Sequence, residues 1–221
     1  MYHRFGESQF SSTNIRIEQL EDHIRELTSG SYTVMPVLQI LSRIIKGVSL
    51  PNKTIGITID DGFQSIYTEA WPRLRKAQLP FTVFISTDPV DGRYSQRLSW
   101  SHIREMRRAG VVFGAHTASH IHMADTSRKL NEAEINKSND RFAKELGVLP
   151  KLFAYPFGEA STEVFDTIKT GGYEYAFGQH SGVVHATSNR YYLPRFALNE
   201  KYDKNRFLRF VEERLTIGEM K

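Results

Sequence analysis

Short apolar segments alternate with longer amphipathic segments along most of this chain, and the alternation limits the folds it can adopt. Segments such as 54–57 and 81–86 are rich in β-branched and aromatic residues, which is typical of strands. Between such segments, apolar residues recur at helical spacing, as in the stretch 16–29. Strands that alternate with helices favour parallel βαβ units and therefore an α/β fold.

About seven short strands are predicted, enough for one closed domain. Strands are predicted at 2–5, 54–57, 81–86, 111–114, 151–155, 175–178 and 193–197. Helices are predicted at 16–29, 37–46, 65–77, 99–109, 131–146, 162–170 and 203–215, and a polar loop at 88–98. Polar residues recur where the predicted strands end, which is where a closed α/β barrel builds its site. An open doubly wound sheet would gather ligands at one switch point instead, so a single-domain barrel is favoured.

Two neighbouring carboxylates, Asp60 and Asp61, stand just after a predicted buried strand and are followed by Gly62. Side chains alternate along a strand, but a turn at the glycine lets both acids reach one cleft. One could bind a metal ion while the other accepts a proton. The alternative is an ordinary Asp-Gly turn in a hairpin, but the segment that follows is not a second alternating strand.

Two histidines, His116 and His120, follow the predicted strand 111–114. Histidines at i and i+4 face the same way on a helical turn and can bind one metal ion. Together with one carboxylate they form a three-ligand set that leaves positions open for water and substrate. The chain has eight histidines, so chance pairs are expected, but the position just past a strand strengthens the case for this pair.

Three short motifs now stand out: residues 57–62 (ITIDDG), 116–120 (HTASH) and 153–158 (FAYPFG). In order and spacing they resemble the first three motifs of the polysaccharide deacetylases, the NodB-homology or carbohydrate esterase family 4 enzymes. The likeness extends from about residue 55 to residue 197. The resemblance implies a distorted (β/α)7 TIM-like barrel. It also implies a metal-dependent hydrolase that removes N-acetyl groups from an N-acetylated oligo- or polysaccharide.

The resemblance assigns roles to the two acids and the two histidines of the first two motifs. Asp61, His116 and His120 are the expected ligands of one divalent metal ion, with Zn²⁺ as the expected metal. Asp60 is the expected general base, which removes a proton from a water molecule as that water attacks an acetamide carbonyl.

The third motif is expected to form the oxyanion and substrate site. The backbone N–H of Phe157 is the expected donor to the oxyanion, beside Pro156. The side chains of Tyr155 and Phe157 are expected to line the sugar-binding site. The alternative is a plain turn after a strand.

Two departures from the family pattern change the expected catalytic set. The third motif usually carries an Arg that pairs with the base, but Ala154 stands there. Arg195 is the expected substitute, since a charged residue within a short apolar strand must find a partner. The family's late Leu-x-Leu-His, whose His is the general acid, is replaced by Phe-Ala-Leu-Asn at 196–199. His180 is therefore the expected proton donor to the leaving amine, with His185 as its weaker rival.

Composition bears on partners and alternatives. The formal charge of +4 is spread over interspersed acids and bases, so no nucleic-acid partner is predicted. There are no cysteines, which excludes disulfides and thiolate chemistry, and no apolar run approaches the roughly 18 residues of a membrane span. An amidohydrolase of the same fold that acts on a small non-sugar amide remains an alternative. A non-catalytic carbohydrate-binding relative is another, although the intact first two motifs argue against it.

The start of the sequence carries no signal peptide, so a cytoplasmic location is the default expectation. In relatives of this type a Tyr-His pair like Tyr2 and His3 lies on the first barrel strand. The sequence is therefore expected to begin inside that strand, with an upstream segment missing or lost, and export stays open if the N-terminus is truncated.

Overall fold

The computed structural model describes residues 1–92, 94 and 96–201. The strands of this part are β1 (Arg4–Phe5), β2 (Asn14–Ile15), β3 (Thr33–Val34), β4 (Thr54–Ile55), β5 (Ile57–Ile59), β6 (Phe81–Ile85), β7 (Val112–Ala115), β8 (Leu152–Ala154) and β9 (Tyr175–Phe177). The α-helices are α1 (Ile17–Leu27), α2 (Val37–Ile45), α3 (Trp71–Lys76), α4 (Thr87–Asp91), α5 (Trp100–Arg108), α6 (Arg128–Leu146) and α7 (Thr162–Thr170). A π-helix, Ile66–Ala70, precedes α3, and 3-10 turns lie at Met123–Asp125 and Pro156–Gly158.

Five parallel strands form the central sheet in the order β5-β6-β7-β8-β9, and both of its edges are extended by further backbone pairs. Tyr2 bridges to Ile59 beside β5, and Leu193 bridges to Phe177 beside β9. Strands buried on both faces read as continuous apolar runs, as Phe81–Ile85 does with every residue buried.

The two extended edges also meet each other, which closes the sheet into a ring. The nitrogen of Met1 donates to the carbonyl oxygen of Phe196 (2.8 Å), and the carbonyl oxygen of Met1 accepts from the N–H of Leu198 (2.9 Å). The expected (β/α)7 barrel is thereby confirmed. It is distorted because the closing segments pair through single residues and because β1-β2 and β3-β4 form separate two-stranded sheets.

Helix starts follow local sequence closely. Ser99, Ser127 and Ser161 precede α5, α6 and α7, and each side-chain oxygen accepts a hydrogen bond from a backbone N–H of the first turn. Helix α6 ends at Gly147, whose left-handed φ of 68° suits a C-terminal cap.

Some predicted boundaries were wrong. The predicted loop at 88–98 begins with the short helix α4, and α6 starts at Arg128 rather than 131 because Ser127 caps it. The predicted strand 193–197 keeps only the bridge at Leu193; beyond it Arg195 donates to the His180 carbonyl oxygen, and Phe196 pairs with Met1 on the other side. The predicted helix 203–215 lies outside the described residues. Across the part of the chain that is described, no helix is long and apolar enough to cross a membrane.

Candidate active site

The end of β5 turns sharply at Asp61, and the turn directs two consecutive carboxylates into the barrel mouth. Asp61 and Gly62 both have left-handed backbone angles, with φ of 72° and 65°. A Cβ atom on Gly62 would also lie only 3.0 Å from the Ile85 side chain, so glycine fits this position best. The predicted hairpin alternative is wrong, because a π-helix follows the turn instead of a strand.

Asp61, His116 and His120 come together as predicted, with ligand atoms that all lie within 4.8 Å of one another. The Oδ1 atom of Asp61 is 3.3 Å from Nε2 of His116 and 3.1 Å from Nε2 of His120. Two donors that each lie 2.0–2.1 Å from one tetrahedral ion are about 3.3 Å apart. The spacing therefore fits a single divalent ion.

The orientation of His116 also fits a metal ligand. Its side chain is 1% exposed, and its Nδ1 donates a hydrogen bond to the carbonyl oxygen of Ala154 (2.7 Å). With the proton on Nδ1, the lone pair of Nε2 faces Asp61 and is free to bind a metal.

The loop that carries the two histidines is not helical, so the expected helical turn is wrong. Thr117 and His120 have left-handed φ angles of 63° and 65°. The N–H of His120 donates to the Thr117 hydroxyl (2.9 Å), which folds the chain back on itself. Both rings reach Asp61 because the loop reverses, whereas a regular helix would stack them by spacing alone.

Asp60 is fully buried and forms a two-pronged ion pair with Arg195. Nη1 and Nη2 of the guanidinium each lie 2.7 Å from one oxygen of the carboxylate. The Arg195 Nε donates to the carbonyl oxygen of Gly178 (2.9 Å), which fixes the fork in place. The pair predicted from the sequence is therefore present. The pair links the end of β5 to the segment after Leu193, and so crosses the place where the sheet closes.

Both carboxyls are held ionised against the effect of burial. Burial would raise the pKa of Asp60, but the charge and hydrogen bonds of Arg195 bring that pKa below its ordinary value. Burial also opposes ionisation of Asp61, but the adjacent imidazoles of His116 and His120 hold the pKa of Asp61 well below its usual range. Two anionic groups with different partners thus lie side by side.

The third motif divides between the core and the surface. Tyr155 has no exposed surface, and its hydroxyl donates to the carbonyl oxygen of Tyr191 (2.9 Å). Its side chain cannot touch a sugar, so the expectation that it walls the substrate site is wrong. Pro156 is buried as well, whereas Phe157 is 43% exposed and packs edge-on against His120 at 4.7 Å between ring centroids.

His180 and His3 lie in different surroundings. The exposed ring of His180 stacks on Tyr192 at 4.5 Å between centroids. His3, which sequence reasoning placed only on the first strand, interacts electrostatically with Asp60 and Asp61. Burial lowers the pKa of His3, and the two carboxylates act in the opposite direction. The Tyr-His pair was a signal for this position, but the closeness of His3 to the acids depends on the pairing of Tyr2 with β5.

A second group of three metal-ligating side chains lies beside the first. His122, Asp125 and Glu159 also place ligand atoms within 4.8 Å of one another, and all three are exposed. The His122 ring lies flat on Phe157 with 3.6 Å between centroids. Phe157 therefore separates the buried group from the exposed one.

The fold and the site together define an α/β-barrel enzyme whose reactive side chains gather at the C-terminal ends of its strands. The sequence profile of the polysaccharide deacetylases matches residues 47–176, more than half of the 221 residues, so the chain belongs to the polysaccharide deacetylase family. The resemblance stated from three motifs is thereby confirmed.

Individual relatives agree with that assignment. A poly-β-1,6-N-acetyl-D-glucosamine N-deacetylase of Staphylococcus aureus (strain MRSA252) is 27% identical over 212 residues, which cover 90% of this chain and 73% of that protein. Streptococcus pyogenes deacetylase PplD, solved with acetate, superposes with a TM-score of 0.88 at 19% identity over 96% of each chain. BC0361, a polysaccharide deacetylase from Bacillus cereus, gives a TM-score of 0.83 at 23% identity over 96% of this chain and 67% of that one. At these identities the two structures support the fold alone.

Proposed function

We propose that this protein is a metal-dependent hydrolase that removes N-acetyl groups from a glycan of N-acetylated hexosamines. The observation that carries the proposal is the buried pair of Asp60 and Arg195 beside the group formed by Asp61, His116 and His120. The name of the Staphylococcus aureus relative makes poly-β-1,6-N-acetyl-D-glucosamine the first substrate to test.

The group of Asp61, His116 and His120 would hold the metal, with Zn²⁺ as the expected ion. Such an ion supplies Lewis acidity, which makes water a better nucleophile and polarises the acetamide carbonyl. The three side chains contribute one carboxylate and two imidazoles, and they leave coordination positions for other ligands.

Asp60 acts as the general base in this proposal. Its carboxylate is ionised, and each of its oxygens keeps a lone pair after accepting one hydrogen bond from Arg195. Because Asp60 has no exposed surface, the water that it deprotonates has to be one held inside the site. Arg195 fixes the direction of the carboxylate, and the proton passes to an Asp60 oxygen as the water attacks.

Two other chain groups complete the proposed chemistry. The backbone N–H of Phe157 is the proposed donor to the developing oxyanion, and the exposed Phe157 ring offers an apolar surface to a sugar. The leaving amine needs a proton. His180 is the donor expected from the sequence, and we favour His3 because it lies among the charged groups of the site.

The test is release of acetate from a panel of substrates by metal-loaded and chelator-treated protein. The panel contains poly-β-1,6-N-acetyl-D-glucosamine, chitin oligosaccharides and small non-sugar amides. We expect acetate from a glycan, loss of that activity on chelation and its return with Zn²⁺. Hydrolysis of small amides alone would favour the amidohydrolase alternative. Binding to a glycan without acetate release would favour a non-catalytic relative.

A further inference from the structure

The loop between His116 and His120 is held by a carboxylate from a distant part of the sequence. Glu134, on α6, is a buried side chain whose Oε2 accepts from the N–H of Ala118 (3.0 Å) and from the N–H of Ser119 (2.7 Å). Its Oε1 accepts from the Ser119 hydroxyl (2.9 Å). One carboxylate thus accepts three hydrogen bonds from residues that lie between the two histidines.

The loop needs such support because its backbone is unusual. Thr117 and His120, at either side of the two amides, adopt left-handed φ angles that side-chain-bearing residues rarely adopt. Successive N–H groups that point to one side form a concave site for an anion. In this protein Glu134 of the chain itself supplies the anion.

The opposite side of the loop is fixed by residues that follow β6. The hydroxyl of Ser86 donates to the carbonyl oxygen of His116 (2.5 Å), and the N–H of Asp88 donates to the carbonyl oxygen of Ala118 (2.8 Å). The loop is therefore held between β6 and α6. His116 is also fixed through its ring, whereas His120 is 28% exposed and depends more on the loop for its direction.

We propose that Glu134 is a positioning residue for the metal site, one that sets the direction of His120 through the amides of Ala118 and Ser119. This inference rests on the proposed metal-dependent function. Removal of a hydrogen-bond partner behind a metal ligand typically costs about 10–100-fold in affinity or activity. The negative charge matters as well as the shape, because a charged acceptor forms stronger hydrogen bonds with N–H groups than a neutral one.

The experiment compares Glu134→Gln with the wild-type chain in Zn²⁺ affinity and in the absorption spectrum of the Co²⁺-loaded protein. The glutamine keeps the shape but loses the charge and one acceptor oxygen. We expect a loss of Zn²⁺ affinity of about 10–100-fold and an altered Co²⁺ spectrum, because the ligand geometry changes. Glu132→Gln is the matched control: the Glu132 side chain, 45% exposed on the same helix, pairs with Arg128, and its loss should change neither quantity.

Ser119→Ala is the milder variant if Glu134→Gln does not fold. It removes one of the three hydrogen bonds, and we expect a loss of Zn²⁺ affinity in the same direction of roughly two- to threefold, the low end for a single hydrogen bond. Unchanged affinity and spectrum in the folded Glu134→Gln protein would overturn the inference, and so would unchanged affinity in Ser119→Ala when only that variant folds. If the wild-type chain itself fails to bind Zn²⁺ or Co²⁺, the proposed function is overturned instead.

Discussion

The two groups of metal-ligating side chains on either side of Phe157 contain similar residues in different surroundings. In the inner group, His116, Asp61 and His120 have side chains that are 1%, 15% and 28% exposed. In the outer group, His122 and Glu159 are each 52% exposed. The inner side chains are also oriented by backbone groups, such as the Ala154 carbonyl that fixes the His116 ring.

The two groups have similar residue types and similar spacing, so they differ chiefly in burial and in how their side chains are oriented. An exposed pair such as His122 and Glu159, 3.2 Å apart, contributes little because water screens it and both side chains lose freedom. A partly buried group with fixed orientation has its donors desolvated and its ring tautomers set before a metal arrives. We therefore expect metal binding and activity to depend on the inner group alone.

The largest expected effect comes from breaking the inner group with His116→Ala. The substitution removes one of three ligands, so we expect bound Zn²⁺ to be lost and acetate release to fall to background. Metal content of the purified protein and acetate release are the measurements. The far-UV circular dichroism should stay near that of the wild type, and full metal loading in the variant would contradict the assignment.

The next largest effect separates a ligand from a base within the buried region. Asp60→Asn should keep bound metal and reduce the rate by about 10²–10⁴-fold, because an amide accepts no proton from water. The variant also leaves the Arg195 guanidinium buried without its anion, so its melting temperature should fall. Rates should be measured well below that temperature. Equal metal loss in Asp60→Asn and Asp61→Asn would refute the division of roles.

A third comparison concerns the proton donor. We expect His3→Gln to reduce the rate by about 10²-fold, since general acids contribute at least that much, and His180→Gln to reduce it by less than about tenfold. Both variants should retain metal, which is the control for an intact site. A larger loss in His180→Gln would restore the assignment made from the sequence.

A smaller effect is expected from Arg195→Lys, which keeps the positive charge but removes the planar guanidinium with its two parallel donors. Lysine cannot form the two parallel hydrogen bonds, so turnover should fall by about tenfold while Zn²⁺ affinity changes little. Arg195 lowers the pKa of Asp60, so a weaker partner raises that pKa. Activity is lost as pH falls through the pKa of the base, and the acidic limb of the pH–rate profile should therefore move to higher pH. Arg141→Lys, at an arginine that pairs with Asp91, is a control that should show neither change.

The smallest effect is expected in the outer group, with Asp125→Asn. Asp125 is exposed, so metal stoichiometry, Zn²⁺ affinity and acetate release should match the wild type within error. Calorimetric titration with Zn²⁺ measures the first two. A stoichiometry that drops from two ions to one would show that the outer group binds metal and that the comparison is false.

Much of this arrangement could be predicted from residue types. Arg195 was predicted to need a partner because a charge in a short apolar strand cannot be buried alone, and the family pattern, in which an Arg pairs with the base, indicated Asp60. The alternation of strands and helices predicted parallel βαβ units, and the polar residues at several strand ends, together with the family resemblance, favoured a barrel. The free-energy cost of burying a lone charge leaves few alternatives for Arg195, whereas the closed sheet had to be weighed against an open one.

Other features carried no comparable signal. The left-handed backbone at Thr117 and His120 is uncommon for residues with side chains, so no local rule predicted a reversed loop between the histidines. Tyr155 follows a strand directly, and its burial depends on its hydrogen bond to Tyr191 and on packing against Tyr192, both from a later part of the chain. The position of His3 near the acids depends on the pairing of Tyr2 with β5, more than 50 residues further along the chain. Each of these outcomes was decided by contacts between residues far apart in sequence.

The way in which the ring closes also bears on the order of folding. The hydrogen bond from Met1 to Phe196 joins positions separated by 195 residues, and the Arg195–Asp60 pair joins positions separated by 135. Contacts between residues so far apart in sequence form slowly, because the chain between them must lose conformational entropy before the contact stabilises the fold. Until the last segment docks, an Asp60 buried by its neighbours would have no guanidinium beside it, and burial alone favours its protonated form. A partly assembled barrel would therefore lack an ionised base, so catalytic competence should appear only with the final step of folding.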